Sequence, residues 1–337
     1  MTYDNTAGAA FSETERTFHT PQDWTKYGCK SLVLYLFGDP NNTGQLYLKI
    51  NGTKVLYNGA ADDLKIGTWL PWAVDLAAVG TNLQKITKLA IGVEGAGAKG
   101  KLLIDDIRLY PATATTITPT DPGTAGLVAH YKLDGDAKDA AGTHDGTLAG
   151  SPQFAAGKVG QAMSIIADSQ YITVPYAADL SMNSFTVAAW VKYTDKSVWR
   201  GFLGTRFSGE NTFDLKANAS MIHGDIGSGT AWLNTAVDIT TPRGGNITMG
   251  AWHHIAYAID DATDTAKLYL DGALAATATF TGTPLFMKTG QQLRIGVSYG
   301  TEYMRGAIDD VRLYNRALSE AEAASLAGRS GPVFQAP

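Results

Sequence analysis

The sequence has one cysteine, Cys29, in 337 residues, so no internal disulfide forms and stability must come from buried apolar cores. Cys29 precedes the apolar run Ser31–Phe37 and reads as a small buried residue. Proline is scarce at 12 residues, which rules out a long Pro-rich stalk. No stretch approaches the roughly 20 apolar residues of a membrane span. The opening MTYDNT has neither a basic segment nor an apolar run, so no signal peptide is read there. The chain is then either cytosolic or a fragment whose targeting sequence lies elsewhere. An excess of positive charge is also lacking. Residues 1–111 carry 11 basic and 11 acidic side chains, the remainder 16 and 21, and the net charge is −5. This excludes a nucleic-acid partner, which requires a basic face against the phosphates.

Glutamate is rare, with 7 residues against 25 aspartates, and histidine is limited to 6. Glycosidases on jelly rolls need two carboxylates across a scissile bond. Glu13 and Glu15 are the sole Glu pair at alternate positions outside the helical stretch, and Arg16 stands beside them. Glu210, Glu302, Glu320 and Glu322 are scattered through the second half. There is no nucleophile elbow, phosphate-binding glycine loop or zinc spacing. The sequence therefore reads as non-catalytic. Abundant Asp fits turns, where short carboxylates and nearby carbonyls can also hold a hard cation such as calcium.

What is present is β pattern. SLVLYLFG, QLYLKINGTKVLY, WAVDLA, KLAIGVEG and LLIDDIRLY succeed one another in residues 1–111. Asn51-Gly52 marks a tight hairpin. The chain opens inside an apparent strand, so this first sandwich is expected to be truncated at its N-terminus with an exposed edge. Residues 112–126, ATATTITPTDPGTAG, form an extended Thr/Pro linker. Residues 127–328 are again β, with a hairpin at Asp271-Gly272 and one short helix over Ser319–Leu326. Ser319 and Glu322 form its capping box and Gly328 its stop. Residues 329–337 read as a poorly ordered tail. The fold class is all-β, two β-sandwich (jelly-roll) domains in tandem with one short C-terminal helix.

Two phrases, LIDDIRLYP (Leu103–Pro111) and AIDDVRLYN (Ala307–Asn315), each read as a closing strand. Strict alternation puts Asp309 on the face of Val311, and Asp105 on the face of Ile107. A lone carboxylate there needs a cation or a donor, unless a bulge turns it outward.

In the second half GLVAHYKLDGDAKDAAGTHDGTLAG, KVGQAMSI, SFTVAAWVK, GAWHHIAYAID, AKLYLDGALAAT and GAIDDVRLYNRALSEAE occur in that order. This series resembles the laminin-G-like, concanavalin A-type jelly rolls of bacterial extracellular proteins. The first half more loosely resembles galactose-binding-like or carbohydrate-binding-module β-sandwiches, through SETERTF, DWTKYG, KSLVLYLFGD and KINGTKV. The resemblance implies a lectin-like, extracellular or cell-surface role in binding a polysaccharide or surface glycan. It also implies structural calcium. Candidate calcium ligands are Asp309, Asp310, Asp136, Asp139 and Asp145 in the second domain, and Asp105 and Asp106 in the first.

Sugar faces stack on exposed rings, so Trp199, Trp232, Tyr299 and Tyr303, with Arg200, are the expected carbohydrate-binding residues. With Arg206, Arg243 and Arg305 nearby in sequence, they suggest an anionic sugar. Trp190 and Trp252 lie in strand-period runs and read as core, while Trp24, Trp69 and Trp72 are weaker ring candidates. His223 with Asp225 is a lone pair, weak both as a metal site and as a base. The alternatives are a structural surface, matrix or filament subunit assembling with copies of itself through sandwich edges, and a glycan-active enzyme or its accessory part.

Overall fold

The structure is a computed structural model that describes residues 1–206, 211–233, 247–331 and 333–335. The chain divides into two compact units, Met1–Pro119 with Arg329–Pro337, and Thr120–Gly328. As expected, it is mostly β, with one α-helix among the described residues.

The first unit runs through β1 (Thr2–Asp4), β2 (Phe11–Gln22), β3 (Ser31–Phe37), β4 (Gln45–Ile50), β5 (Thr53–Leu56), β6 (Trp69–Asp75), β7 (Ile86–Glu94), β8 (Lys99–Lys101), β9 (Leu103–Tyr110) and β10 (Thr115–Ile117). The four-stranded sheet β2-β7-β4-β5 and the three-stranded sheet β6-β3-β9 share one core. Period-2 alternation sends Leu32, Leu34 and Leu36 of β3 and Leu46, Leu48 and Ile50 of β4 into it. The turn between β4 and β5 needs positive φ at both residues, and Asn51 (49°) and Gly52 (86°) supply it. Trp72 and Trp24 are buried in this core rather than offered to a ligand, and Trp69 rests against Phe37 at 5.5 Å.

The segments read as linker and tail contribute structure to this unit. A strand over Val333–Gln335 pairs antiparallel with β10. Phe334 enters the core, its ring 6.2 Å from Tyr57. Arg329 reaches Asp63 at 3.0 Å, and the Tyr57 hydroxyl bonds the same carboxylate oxygen. The expected disorder of the tail is thus corrected for residues 329–331 and 333–335. Composition marks the segment as polar, whereas its two large side chains have buried partners far away in sequence.

The second unit comprises β11 (Leu127–Tyr131), β12 (Thr147–Ala149), β13 (Gln153–Ala156), β14 (Gln161–Ile165), β15 (Tyr171–Pro175), β16 (Phe185–Tyr193), β17 (Arg200–Gly204), β18 (Phe213–Ala217), β19 (Ile222–Ile226), β20 (His253–Asp260), β21 (Thr265–Leu270), β22 (Ala273–Thr279), β23 (Gln292–Ile295), β24 (Gly306–Tyr314) and α1 (Glu320–Leu326). One sheet has the order β13-β14-β24-β16-β20-β21-β22, with β11 also on β24. The other has the order β12-β15-β23-β17-β18-β19. Their inner faces share one core. Phe213 of the six-stranded sheet meets Phe185 at 5.4 Å and Tyr257 at 5.5 Å from the eight-stranded one. Trp190 is buried on the outer face of its strand, beside His254. The helix α1 begins at the expected capping box and lays Ala323 on Ala188, Ala256 and Ala258. Alanines at those outward positions leave room for a helix to lie close to the sheet.

Both closing strands carry the bulge. The register of β24 on β16 shifts between Ala188 and Trp190, and that of β9 on β3 between Val33 and Tyr35. The second Asp of each pair adopts a positive φ, 48° at Asp310 and 53° at Asp106. The extra residue lets Ile308 and Val311, three apart, both face the core.

The C-terminal closure is testable by calorimetry. Phe334→Ala is expected to destabilise the first unit by about 3 kcal/mol. Arg329→Met, which strands a buried carboxylate, is expected to cost about 3 kcal/mol. Each lowers one unfolding transition and leaves the other in place.

Candidate functional site

The outer face of the six-stranded sheet holds an unusual concentration of charge. In FDLKA (β18) the apolar Phe213, Leu215 and Ala217 face the core, so Asp214 and Lys216 face outward. In IHGDI (β19) Ile222 and Ile226 face the core, so His223 and Asp225 face outward. The antiparallel register sets Asp214 opposite Asp225 and Lys216 opposite His223. Lys216 lies 3.3 Å from Asp214, 3.7 Å from Asp225 and 3.3 Å from Glu302. Arg206 lies 3.2 Å from Asp214 and 3.6 Å from Asp225. His223 bonds Asp225 at 3.0 Å, and the Ser298 hydroxyl donates to Glu302 at 2.7 Å.

Aromatic rings border this floor. The Arg206 guanidinium lies over both Trp232 (4.5 Å) and Tyr299 (4.2 Å), which remain 40% and 36% exposed. Trp199 rests on His223 at 5.1 Å, with the Lys216 ammonium 5.5 Å from its ring. Three of the expected rings are therefore brought to one place. Tyr303 packs on Tyr171 of β15 instead, at 6.1 Å.

The expected cationic site for an anionic sugar does not form among the described residues. Arg200 is held by Asp195 and also donates to the Tyr303 carbonyl, Arg206 is held by Asp214 and Asp225, and Arg305 by Asp168. Arg243 and Glu210 lie outside the described residues. Burial, reinforced by the neighbouring Asp225 carboxylate, pushes Asp214 up to about 7. Burial also pushes Asp225 up, but its bonds to His223 and Asp214 and the nearby Lys216 outweigh it and hold this carboxyl low. Among the described residues the cations Arg206 and Lys216 are thus paired with the carboxyls Asp214, Asp225 and Glu302, and burial favours the protonated form of Asp214.

The seven carboxylates expected to hold calcium do not form a cage. Asp309 accepts the Lys158 and Val159 amides, both at 2.8 Å. Asp310 turns to His130 (2.5 Å) and Arg312 (3.2 Å). Asp139 accepts the amides of His130, Ala141 and His144. Asp145 pairs with Lys138 at 2.6 Å, and Asp136 accepts the Lys138 amide. Asp105 accepts the Asp106 amide, and Asp106 pairs with Arg108 at 2.5 Å. Calcium requires six to eight oxygens converging on one point. Here the bulge points neighbouring acids at different partners; Oδ2 of Asp309 takes both amides, while its buried Oδ1 has no hydrogen-bond partner. Among the described residues one group brings three possible ligand atoms within 4.8 Å of one another, Asp214, His223 and Asp225. Arg206 and Lys216 already supply its positive charge.

Residues 167–324 match the family model of the concanavalin A-like lectin/glucanases superfamily, Laminin_G_3. The second unit is a laminin-G-like domain. Among solved structures, domain 4 of AbnA, a GH43 extracellular arabinanase from Geobacillus stearothermophilus, in complex with arabinotriose, is 25% identical at a TM-score of 0.50. That match covers 60% of this chain and 98% of the other. The binding domain of Paraclostridial Mosquitocidal Protein 1 is 16% identical, with a TM-score of 0.44 over 60% of this chain and 52% of the other. A Trypanosoma rangeli sialidase, in complex with 2,3-difluorosialic acid, is 18% identical, with a TM-score of 0.44 over 63% of this chain and 35% of the other. No curated protein matches the chain.

In the laminin-G-like domain the floor residues Asp214, Lys216 and Glu302 escaped sequence reasoning, and His223 with Asp225 looked like an isolated pair. The usable signal was that FDLKA and IHGDI alternate apolar and charged residues in phase. Two such neighbours present Asp, Lys, His and Asp on one face.

The raised Asp214 carboxyl makes stability pH-dependent. The folded state keeps a proton that the unfolded chain releases near pH 4. Stability from this group is full below that pH and falls as pH rises toward about 7. The slope is at most about 1.4 kcal/mol per pH unit. Asp214→Asn is expected to flatten the fall in melting temperature between pH 4 and 7. For the carboxylates held by N–H donors, adding calcium to chelator-treated protein is expected to leave the melting temperature unchanged. A rise saturating with calcium would contradict the arrangement described.

Proposed function

We propose that the laminin-G-like domain binds a neutral polysaccharide, without cleaving it, on the outer face of its six-stranded sheet. The carrying observation is the exposed Trp232 and Tyr299 pair, both against Arg206, beside a floor whose described cations are already paired with carboxyls. Rings offer flat apolar faces to sugar C–H groups, and the bordering polar groups offer donors and acceptors to hydroxyls. An anionic sugar would have to displace carboxylates already bonded to the cations. The arabinotriose complex of the similar arabinanase domain supports a neutral oligosaccharide as ligand class.

Non-catalytic binding is favoured because Asp214, the one floor carboxyl raised toward neutrality, is 0% exposed and out of reach of a glycosidic oxygen. We place the protein outside the cell or at its surface, in line with the extracellular arabinanase it resembles. Among the described residues no helix is long and apolar enough to cross a membrane.

Affinity electrophoresis in arabinan and other neutral polysaccharides, with polygalacturonate as the anionic control, tests this reading. Retardation is expected in at least one neutral gel and not in polygalacturonate. Trp232→Ala with Tyr299→Ala is expected to weaken binding about 30-fold, equivalent to about 2 kcal/mol. Retardation by polygalacturonate alone, or release of reducing sugar, would refute it.

A further inference from the structure

Most carboxylate oxygens on the outer face of the six-stranded sheet already have partners. Asp225 accepts His223 on Oδ1 and faces Arg206 and Lys216 with Oδ2. Asp214 meets the same two cations with Oδ2, and its Oδ1 is buried beyond a ligand's reach. Glu302, at the border of the floor, differs. Its Oε2 takes both the Ser298 hydroxyl (2.7 Å) and Lys216 (3.3 Å). Its Oε1 has no partner among the described residues, and the side chain is 21% exposed. On the donor side, Arg206 uses Nη1 for both aspartates and leaves Nη2 without a partner among the described residues.

Local structure fixes where these two groups stand. Gly201 of β17 pairs with Lys216 of β18, and a Cβ at Gly201 would lie 2.0 Å from the Ser298 Oγ. The missing side chain lets the segment Ser298–Glu302 settle on the strand, where the Gly201 amide donates to the Glu302 carbonyl at 2.9 Å. The Glu302 amide in turn donates to the Tyr299 carbonyl at 2.8 Å. One tight turn therefore carries both the exposed ring of Tyr299 and the carboxylate of Glu302. The Arg206 guanidinium lies 4.2 Å from that same ring. A free acceptor and a free donor thus border one stacking surface.

We infer that Glu302 is the specificity-determining residue of this face, and that its ligand is a glycan with two neighbouring unsubstituted hydroxyls. This rests on the binding reading given above and says what the bound sugar must carry. A sugar stacked on Tyr299 turns its edge toward Glu302 and Arg206. One hydroxyl donates to Oε1 of Glu302, and the oxygen on the adjacent carbon accepts from Nη2 of Arg206. A hydrogen bond to an ionised group is roughly twice as strong as one between neutral groups, so this pair outweighs the neutral contacts around it. A sugar methylated at that hydroxyl has no proton to give, and it strips water from the carboxylate without replacing the bond. An acidic sugar brings a like charge to the same oxygen, a repulsive element that adds to selectivity.

The test is affinity electrophoresis of the full chain in arabinan, galactan and mannan gels, and in the same polysaccharides O-methylated at their free hydroxyls. The wild type is expected to bind at least one unmodified polysaccharide about tenfold more tightly than its methylated form. Glu302→Gln is expected to lose about tenfold in affinity for the unmodified form and to shrink the preference to about threefold or less. Trp232→Ala is expected to weaken both forms and keep the preference, because stacking does not read hydroxyl protons. If Glu302→Gln lowers the melting temperature, Glu302→Asp, which keeps the charge but draws it back by one methylene, is expected to lose the preference in its place. Equal binding of both forms by the wild type, or a preference that survives in a folded Glu302 variant, would overturn this inference and leave the stacking site standing. Retardation in none of the unmodified gels would refute the binding reading itself, and this inference with it.

Discussion

A single inserted residue in each closing strand decides where that strand's two acids can go. Two acids side by side in a strand cannot both face water when the strand lies within a sheet. Without the bulge, strict alternation would drive Asp309 into the space between the sheets. The bulge lets Ile308 and Val311 both fill the core and leaves the acids to separate fates. Burial pushes Asp309 up to about 6, opposed by the two amides of the Lys158–Val159 turn. Those bonds fix the loop ahead of β14, and Asp310 fixes β11 through His130. One local irregularity thereby positions two strands that lie far away in sequence.

The proposed binding face depends on a different balance. Charged side chains on the outside of a sheet are ordinary, but Asp214 is fully shielded and Lys216 nearly so. Each survives there because a partner of opposite charge or a shared proton compensates for lost hydration. A floor assembled in this way is stiff. Moving any one group leaves another without compensation, so a ligand meets hydroxyl-binding atoms already in place. The rings at the border are more exposed, and under the proposed function selectivity among sugars falls to that border.

Sequence carried the architecture because period-2 alternation and two tight turns are local signals. Asn51-Gly52, Asp271-Gly272 and the Ser319/Glu322 cap report on their own neighbourhoods, and all three stand as read. Trp232 and Tyr299 were legible as loop rings. Their meeting over Arg206 was not, since it depends on loops about 70 residues apart converging. The arginines were counted without their acids, and the structure pairs Arg200, Arg206 and Arg305 with carboxylates. Asp195, Asp168 and Asp225 neutralise them only once the strands are paired. The Asp-rich loop of Asp136, Asp139 and Asp145 looked like a calcium loop for the same reason. Its carboxylates cap the loop's own amides, an interaction indistinguishable in sequence from ion coordination.

The strand at Val333–Gln335 has a consequence for biosynthesis. Domains generally fold in the order in which they leave the ribosome, N-terminal first. Here the first sandwich lacks Phe334 in its core and Arg329 beside Asp63 until the laminin-G-like domain has been translated. The laminin-G-like domain, complete by Gly328, has every residue it needs before its predecessor does. The first unit therefore waits, with part of its core open, through the synthesis of some two hundred residues. A change confined to Arg329–Gln335 thus acts on the unit whose other strands precede the laminin-G-like domain.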